Sequence, residues 1–154
     1  MSGPLDISPV IDAAVSHAQT TGLFDRVNGA EPKSPPGSGI TGACWLQGLR
    51  PAVHGSGLAS SSMVLDLQFR VYTSMFAEDP ELIDPNLANA ATALFANLCG
   101  DFGLDSLVRC VDLLGIEGQP LRGQAGYLKI GEKLYRVFDI WIPLIMNDVF
   151  DQVE

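Results

Sequence analysis

Hydrolytic or group-transfer chemistry needs a nucleophile with a base in reach. Only two histidines, His17 and His54, are available for that role. His17 falls within a helical pattern and His54 beside a glycine loop, positions where a histidine more commonly caps or is solvated than catalyses. No nucleophile elbow, zinc-protease motif, phosphate loop or dinucleotide fingerprint occurs, and the GSG runs at 37–39 and 55–57 read as loop glycines. Glu78, Asp79, Glu81 and Asp84 cluster ahead of a helix, while Asp101, Asp105 and Asp112 follow it. The first group lacks the alternate spacing and central glycine of a calcium loop, and suits the positive end of a helix instead. Asp101 and Asp105 have no histidine or lysine beside them to complete an acid–base pair. Arg109 and Asp112 lie three apart on a strand pattern and point to opposite faces. Cys44, Cys99 and Cys110 are odd in number and without CxxC spacing, which predicts free, structurally buried thiols in a reducing compartment. These residues predict no enzyme, no cofactor and no metal site.

The elements around them are clearer. Met63, Leu65, Leu67, Phe69 and Val71 alternate with a mostly polar set, predicting a strand over 63–73 with one buried face. Asp84 as N-cap, Pro85 at the first position and Leu87, Ala91, Leu94, Phe95 and Leu98 at helical spacing predict a helix over 85–99, stopped by Gly100. A first helix is predicted over 8–21, capped by Ser8, with Val10, Ala13, Ala14 and Ala18 as its apolar stripe and Gly22 as its end. Residues 23–27 predict a short strand turned away by Asn28 and Gly29. Residues 42–53, broken at Gly48 and closed by Pro51, pair with 63–73 through a loose connector at 54–62 to form one long hairpin. Residues 107–115 read as an apolar central strand, and 125–130 with 134–146 as a second long hairpin, its end bent or at an edge because of Pro143. The fold predicted is α+β, a mostly antiparallel sheet with two long hairpins covered by the two helices.

A single domain over 1–154 is expected, with an extended Pro/Gly loop at 29–41 and an acidic tail at 147–154 expected to fray. The net charge of −9 and only nine Lys and Arg argue against a nucleic-acid-binding face. Charged residues make up 18%, against roughly 25% in ordinary soluble domains. Sparse charge on a 47% hydrophobic chain predicts a subunit that buries surface against copies of itself. No apolar run is long enough for a transmembrane helix, and the N-terminus lacks the regions of a signal peptide, so no membrane association is expected.

Residues 60–150 resemble the tail-terminator, or tail-completion, proteins of long-tailed actinobacterial phages. The resemblance lies in the order of short pieces: RVY on the strand, IDP opening the helix, GDF after it, then VDLLG, AGY, YRV and the closing NDV. It implies a small α/β virion subunit that closes into a hexameric ring on the head-proximal end of the tail tube. Such a ring stops tube polymerisation and offers a joint to the head–neck connector. DNA passes through its lumen without specific binding, to which the acidic balance is suited. The implied partners are copies of itself, the tail tube protein and the connector; the implied location is the tail–neck region of the virion, with the host cytoplasm during assembly. The family brings no catalytic residues. A connector or tube-like ring protein is the neighbouring alternative, and a small cytoplasmic enzyme or ligand-binding domain the remote one. Candidate interface residues are Pro32, Pro35, Pro36, Gly37 and Ile40 in the first loop, His54 and Leu58 in the connector, and Tyr135 and Trp141 on the last strand.

Overall fold

The alternation along residues 63–71 builds the middle of the sheet. The computed structural model describes residues 4–32, 39–53, 56–57, 59–75, 80–101, 103–104 and 107–152. Its elements are α1 (Ser8–Thr20), β1 (Arg26–Asn28), β2 (Thr41–Pro51), β3 (Ser60–Ser74), α2 (Ile83–Gly100, entered through a 3-10 turn at Pro80–Leu82), β4 (Cys110–Val111), β5 (Arg122–Ile130) and β6 (Lys133–Asp151). They form an α+β fold with one six-stranded sheet, ordered β1-β2-β3-β6-β4, with β5 also paired to β6. Every pair is antiparallel except β1 with β2.

Both predicted hairpins are present. β2 and β3 pair from Thr41↔Tyr72 to Pro51↔Met63, with a bulge between Leu46 and Gly48 where the sequence places its break. β5 and β6 pair from Arg122↔Trp141 to Ile130↔Lys133 across a tight turn in which Gly131 takes a positive φ of 62°. Leu65, Leu67, Phe69 and Val71 of β3 and Ile140, Ile142 and Leu144 of β6 lie on one face, packed with Val10, Ala14 and Ala18 of α1 and Leu87, Leu94 and Leu98 of α2. Both helices therefore cover the same side of the sheet. The small alanine stripe lets α1 lie close to the strands.

Three helix-end expectations are corrected. Ile7, not Ser8, precedes α1 without a side-chain cap, and Asp6 instead accepts the Ser8 N–H at 3.0 Å. Helix α2 begins two residues earlier than predicted, so Asp84 lies in its first turn and pairs with Arg136 at 2.9 Å instead of capping. Gly100 is the last helical residue, and Asp101, at φ −137°, ends the helix while its N–H bonds Asn97 O. Gly22 does end the first helix region, at φ 72°.

Residues 107–115 are not a central strand. Only Cys110–Val111 pair, on the edge of β6, and the chain then turns away at Asp112. The Asp112 carboxylate accepts the N–H groups of Ile116 and Glu117, each at 2.9 Å, and its own N–H donates to Pro143 O at 2.8 Å. A buried carboxylate holding two amides offers this backbone an alternative to a ladder. Gly115 has φ 78°, and a Cβ there would lie 2.9 Å from Pro120 N. A side chain at that position is therefore excluded on both counts.

β6 passes through Pro143 and runs on beyond the predicted end at 146 to Asp151. The Pro143 carbonyl faces the β4 side, where it accepts Asp112 N–H, so the proline's missing donor falls between the last β5 pair at Trp141 and the first β4 pair at Leu144. Residues 147–151 belong to β6. Ser60↔Asp151 and Ser61↔Phe150 pair, Val149 is buried, and Gln152 N–H donates to Ala59 O at 2.8 Å.

Candidate interaction surface

The face of the sheet without helices carries the even residues of β3 and the odd residues of β6, which the same alternation sends away from α1 and α2. At one end Tyr72, Tyr135, Val137 and Ala43 are buried beneath Trp45, Leu128 and Ile130. Tyr72 and Tyr135 meet edge to face at 6.2 Å and 87°. In the middle the face turns polar. Asp139 of β6 accepts hydrogen bonds from Arg70 Nε and, at 3.0 Å, from Gln68 Nε2. The Arg70 guanidinium stands 5.4 Å from the Trp45 ring centre and 5.9 Å from that of Tyr72. Burial alone would lower the Arg70 pKa, but the hydrogen bond and charge of Asp139 carry it above the usual value. Burial raises the Tyr72 phenol, against the opposing effect of Arg70.

Toward β2, Arg50 Nε pairs with Asp66 at 3.2 Å, and its Nη1 donates to Glu117 O, tying the Asp112 loop across the sheet. Arg122 stacks on Trp141 with 4.4 Å to the ring centre. Between these lies a cleft of about 200 Å³, lined by Gln47, Gly48, Asp66, Gln119, Pro120, Arg122, Trp141 and Pro143. Pockets for drug-sized ligands run from roughly 300 to 1,000 Å³, and this one, smaller than that range, has room for a side chain. Arg50 and Arg70 both have carboxylate partners, so a protein covering this face would bury those two as pairs, while Arg122 is held on the Trp141 ring.

The sequence-derived candidates are dispersed. Pro35, Pro36, Gly37, His54 and Leu58 lie outside the described residues. Pro32 is half-buried. Ile40 is bound into the chain itself: its N–H donates to Asp25 Oδ2 and its carbonyl accepts Asp25 N–H, both at 2.7 Å. Tyr135 is interior to its own subunit, and Trp141 lines the cleft, half-buried. His17 joins the helices, with Nε2 2.9 Å from Asp101 Oδ2. Among the described residues no group of three or more His, Cys, Asp or Glu is placed to hold a metal, and no helix is long and apolar enough to cross a membrane.

Sequence reasoning missed the residues that do reach solvent. Leu114 is 88% and Ile116 70% exposed, on the loop fastened by Asp112. Leu46 and Leu49 are exposed on β2, and Tyr127 and Leu134 on the second hairpin. The signal available was VDLLGIEG itself, apolar residues crossing a Gly-marked turn where polar ones are usual.

No protein-family model and no curated protein matches the chain. Solved structures that resemble it distantly include the following two. One is described as the sheath/tube terminator, in the extended state, of an extracellular contractile injection system, PVC; it matches with TM-score 0.45 at 10% identity, over 97% of this chain and 59% of that one. This chain thus spans less than two thirds of that neighbour. The other is described as the virion of a native gene transfer agent particle, with TM-score 0.34 at 14% identity, over 88% of this chain and 90% of that one. Likeness at this level assigns neither function nor partners to the chain.

Proposed function

We propose that this chain is a structural virion subunit of the tail-terminator kind. Copies of it close into a hexameric ring on the head-proximal end of a phage tail tube, end tube polymerisation and offer the joint to the head–neck connector. DNA passes through the lumen unread, and assembly takes place in the host cytoplasm before the ring becomes part of the tail–neck region of the virion. The resemblance over residues 60–150 motivates the reading. The observation that carries it is the presentation of Leu114 and Ile116 on an ordered loop, 88% and 70% exposed, in a chain with only nine basic and eighteen acidic residues. Aliphatic side chains held out beside a buried carboxylate are suited to burial against another protein, which supports the reading. Trp141 and the residues around the cleft, together with the 29–41 and 54–62 loops, are the candidate contacts to tube, connector or neighbouring subunit.

The test is to add the purified chain to tail-tube protein as it polymerises. Tubes should stop growing and carry one extra density at a single end by negative-stain microscopy. Continued elongation with unmarked ends would overturn the proposal, and incorporation into long stacked rings would assign the chain to the tube-like class.

A further inference from the structure

Among the described residues the sheet has two open edges. On β2, β1 covers only Thr41–Ala43, leaving the strand from Cys44 to Pro51 without a neighbour among the described residues. On the other side β5, nine residues from Arg122 to Ile130, pairs only with β6. Backbone alternation shows which groups face outward. Ala52 N–H bonds Ser62 O inside the hairpin, so Leu49 and Pro51 turn outward, as do Cys44 and Leu46 on the far side of the bulge. On β6 the odd residues face β4 and β5, as the bonds to Pro143 O and Ile145 O show. Their partners Gln124, Gly126 and Leu128 therefore face inward, and the amides of Gly123, Ala125, Tyr127 and Lys129 face outward.

We infer that the β2 edge of one copy pairs with the β5 edge of the next, continuing the sheet from subunit to subunit. This inference rests on the reading of the chain as a ring subunit and names the joint. Strand direction favours it: β2, β3, β6 and β5 alternate, so β5 of one copy lies antiparallel to β2 of the next when the sheet continues in the same sense. The apolar side chains agree. Leu46 and Leu49 oppose Leu67 and Leu65 on the helix-bearing face, and Tyr127 and Leu134 stand on that same face beside the other edge. One register of the continued sheet sets Leu49, 49% exposed, beside Tyr127, 62% exposed. The small Gly123, Ala125 and Gly126 leave the middle of the β5 edge flat and free of a bulge. Two unlike edges make a head-to-tail contact, the kind that closes by rotation into a ring.

The test uses the full chain. Ala125→Pro removes an outward amide and no bond to β6, so the subunit should keep its circular dichroism and melting temperature. Association should weaken at least about tenfold, from a lost ladder bond and a proline ring placed against the neighbour. Leu49→Lys on the opposite edge should do the same. In a Cys99→Ser background, Leu49→Cys mixed with Tyr127→Cys or Ala125→Cys should form disulfide-linked dimers, while Leu49→Cys alone should not. Unchanged assembly in both edge variants, or self-linking of Leu49→Cys, would overturn the edge joint and leave the ring standing. A wild-type chain that never associates, alone or with tubes, would overturn both.

Discussion

Replacing Asp112 by alanine tests how the exposed loop is held. The side chain is 2% exposed, and its carboxylate accepts two backbone amides at 2.9 Å, from Ile116 and Glu117. Hydrogen bonds to a charged group contribute about 1.5–3 kcal/mol each, and the two freed amides regain some water when the loop opens. The expected loss is therefore about 2–3 kcal/mol, less than the roughly 3–6 kcal/mol of the two bonds combined because of that regained hydration. Urea unfolding should report it as a lower midpoint with an unchanged slope. Hydrogen exchange should localise it, with protection of the Ile116 and Glu117 amides falling roughly 30- to 150-fold. Leu114→Ser, at an 88% exposed position on the same loop, should change stability by no more than about 0.5 kcal/mol. Full amide protection and a loss below about 1 kcal/mol in Asp112→Ala would refute the claim that this carboxylate orders the loop.

Other expectations follow from the core and the sheet face. Phe69 is fully buried on β3 and meets Phe24 edge to face at 5.7 Å, so Phe69→Ala should cost about 3–5 kcal/mol by chemical denaturation. Asp139→Ala leaves Arg70 and Gln68 without their shared acceptor, and a double-mutant cycle with Arg70→Ala should show coupling of about 1 kcal/mol or more. Cys99 is exposed and Cys44 is buried, so an alkylating reagent should label Cys99 in the native protein and Cys44 only on unfolding. Burial pushes the Cys44 thiol up to about 12 from 9.0. Its contribution to stability is complete below the unfolded value near 9 and declines as pH rises from there toward 12, so Cys44→Ala should flatten the alkaline fall in melting temperature.

The parts of the fold set by local periodicity were legible. Val71, Phe69, Leu67 and Leu65 fix β3 and its buried face, and the Ala13, Ala14 and Ala18 stripe fixes which side of α1 meets the sheet. Residues 107–115 misled because LVRCVDLLG is apolar enough for a central strand, yet Asp112 lies buried within it and Leu114 points into solvent. A carboxylate that captures amides four and five residues ahead leaves no periodic trace. Asp139 and Arg70 meet only through the β3–β6 register, 69 residues apart in the chain. Each stands out as a charge on an alternating strand, which marks both as polar-face residues without pairing them. Tyr135 shows the converse. An aromatic residue on a strand apolar on both sides reads as a contact for another subunit, while the structure spends it on Tyr72 within its own sheet.

Native mass spectrometry of the purified full-length chain, measured across a concentration series, bears most directly on the central idea of a subunit built to join copies of itself. One closed species of a fixed multiple of the 16.4 kDa subunit, with no larger polymer, is the predicted spectrum. A monomer at every concentration, still unassociated when tail tubes are added, would contradict it.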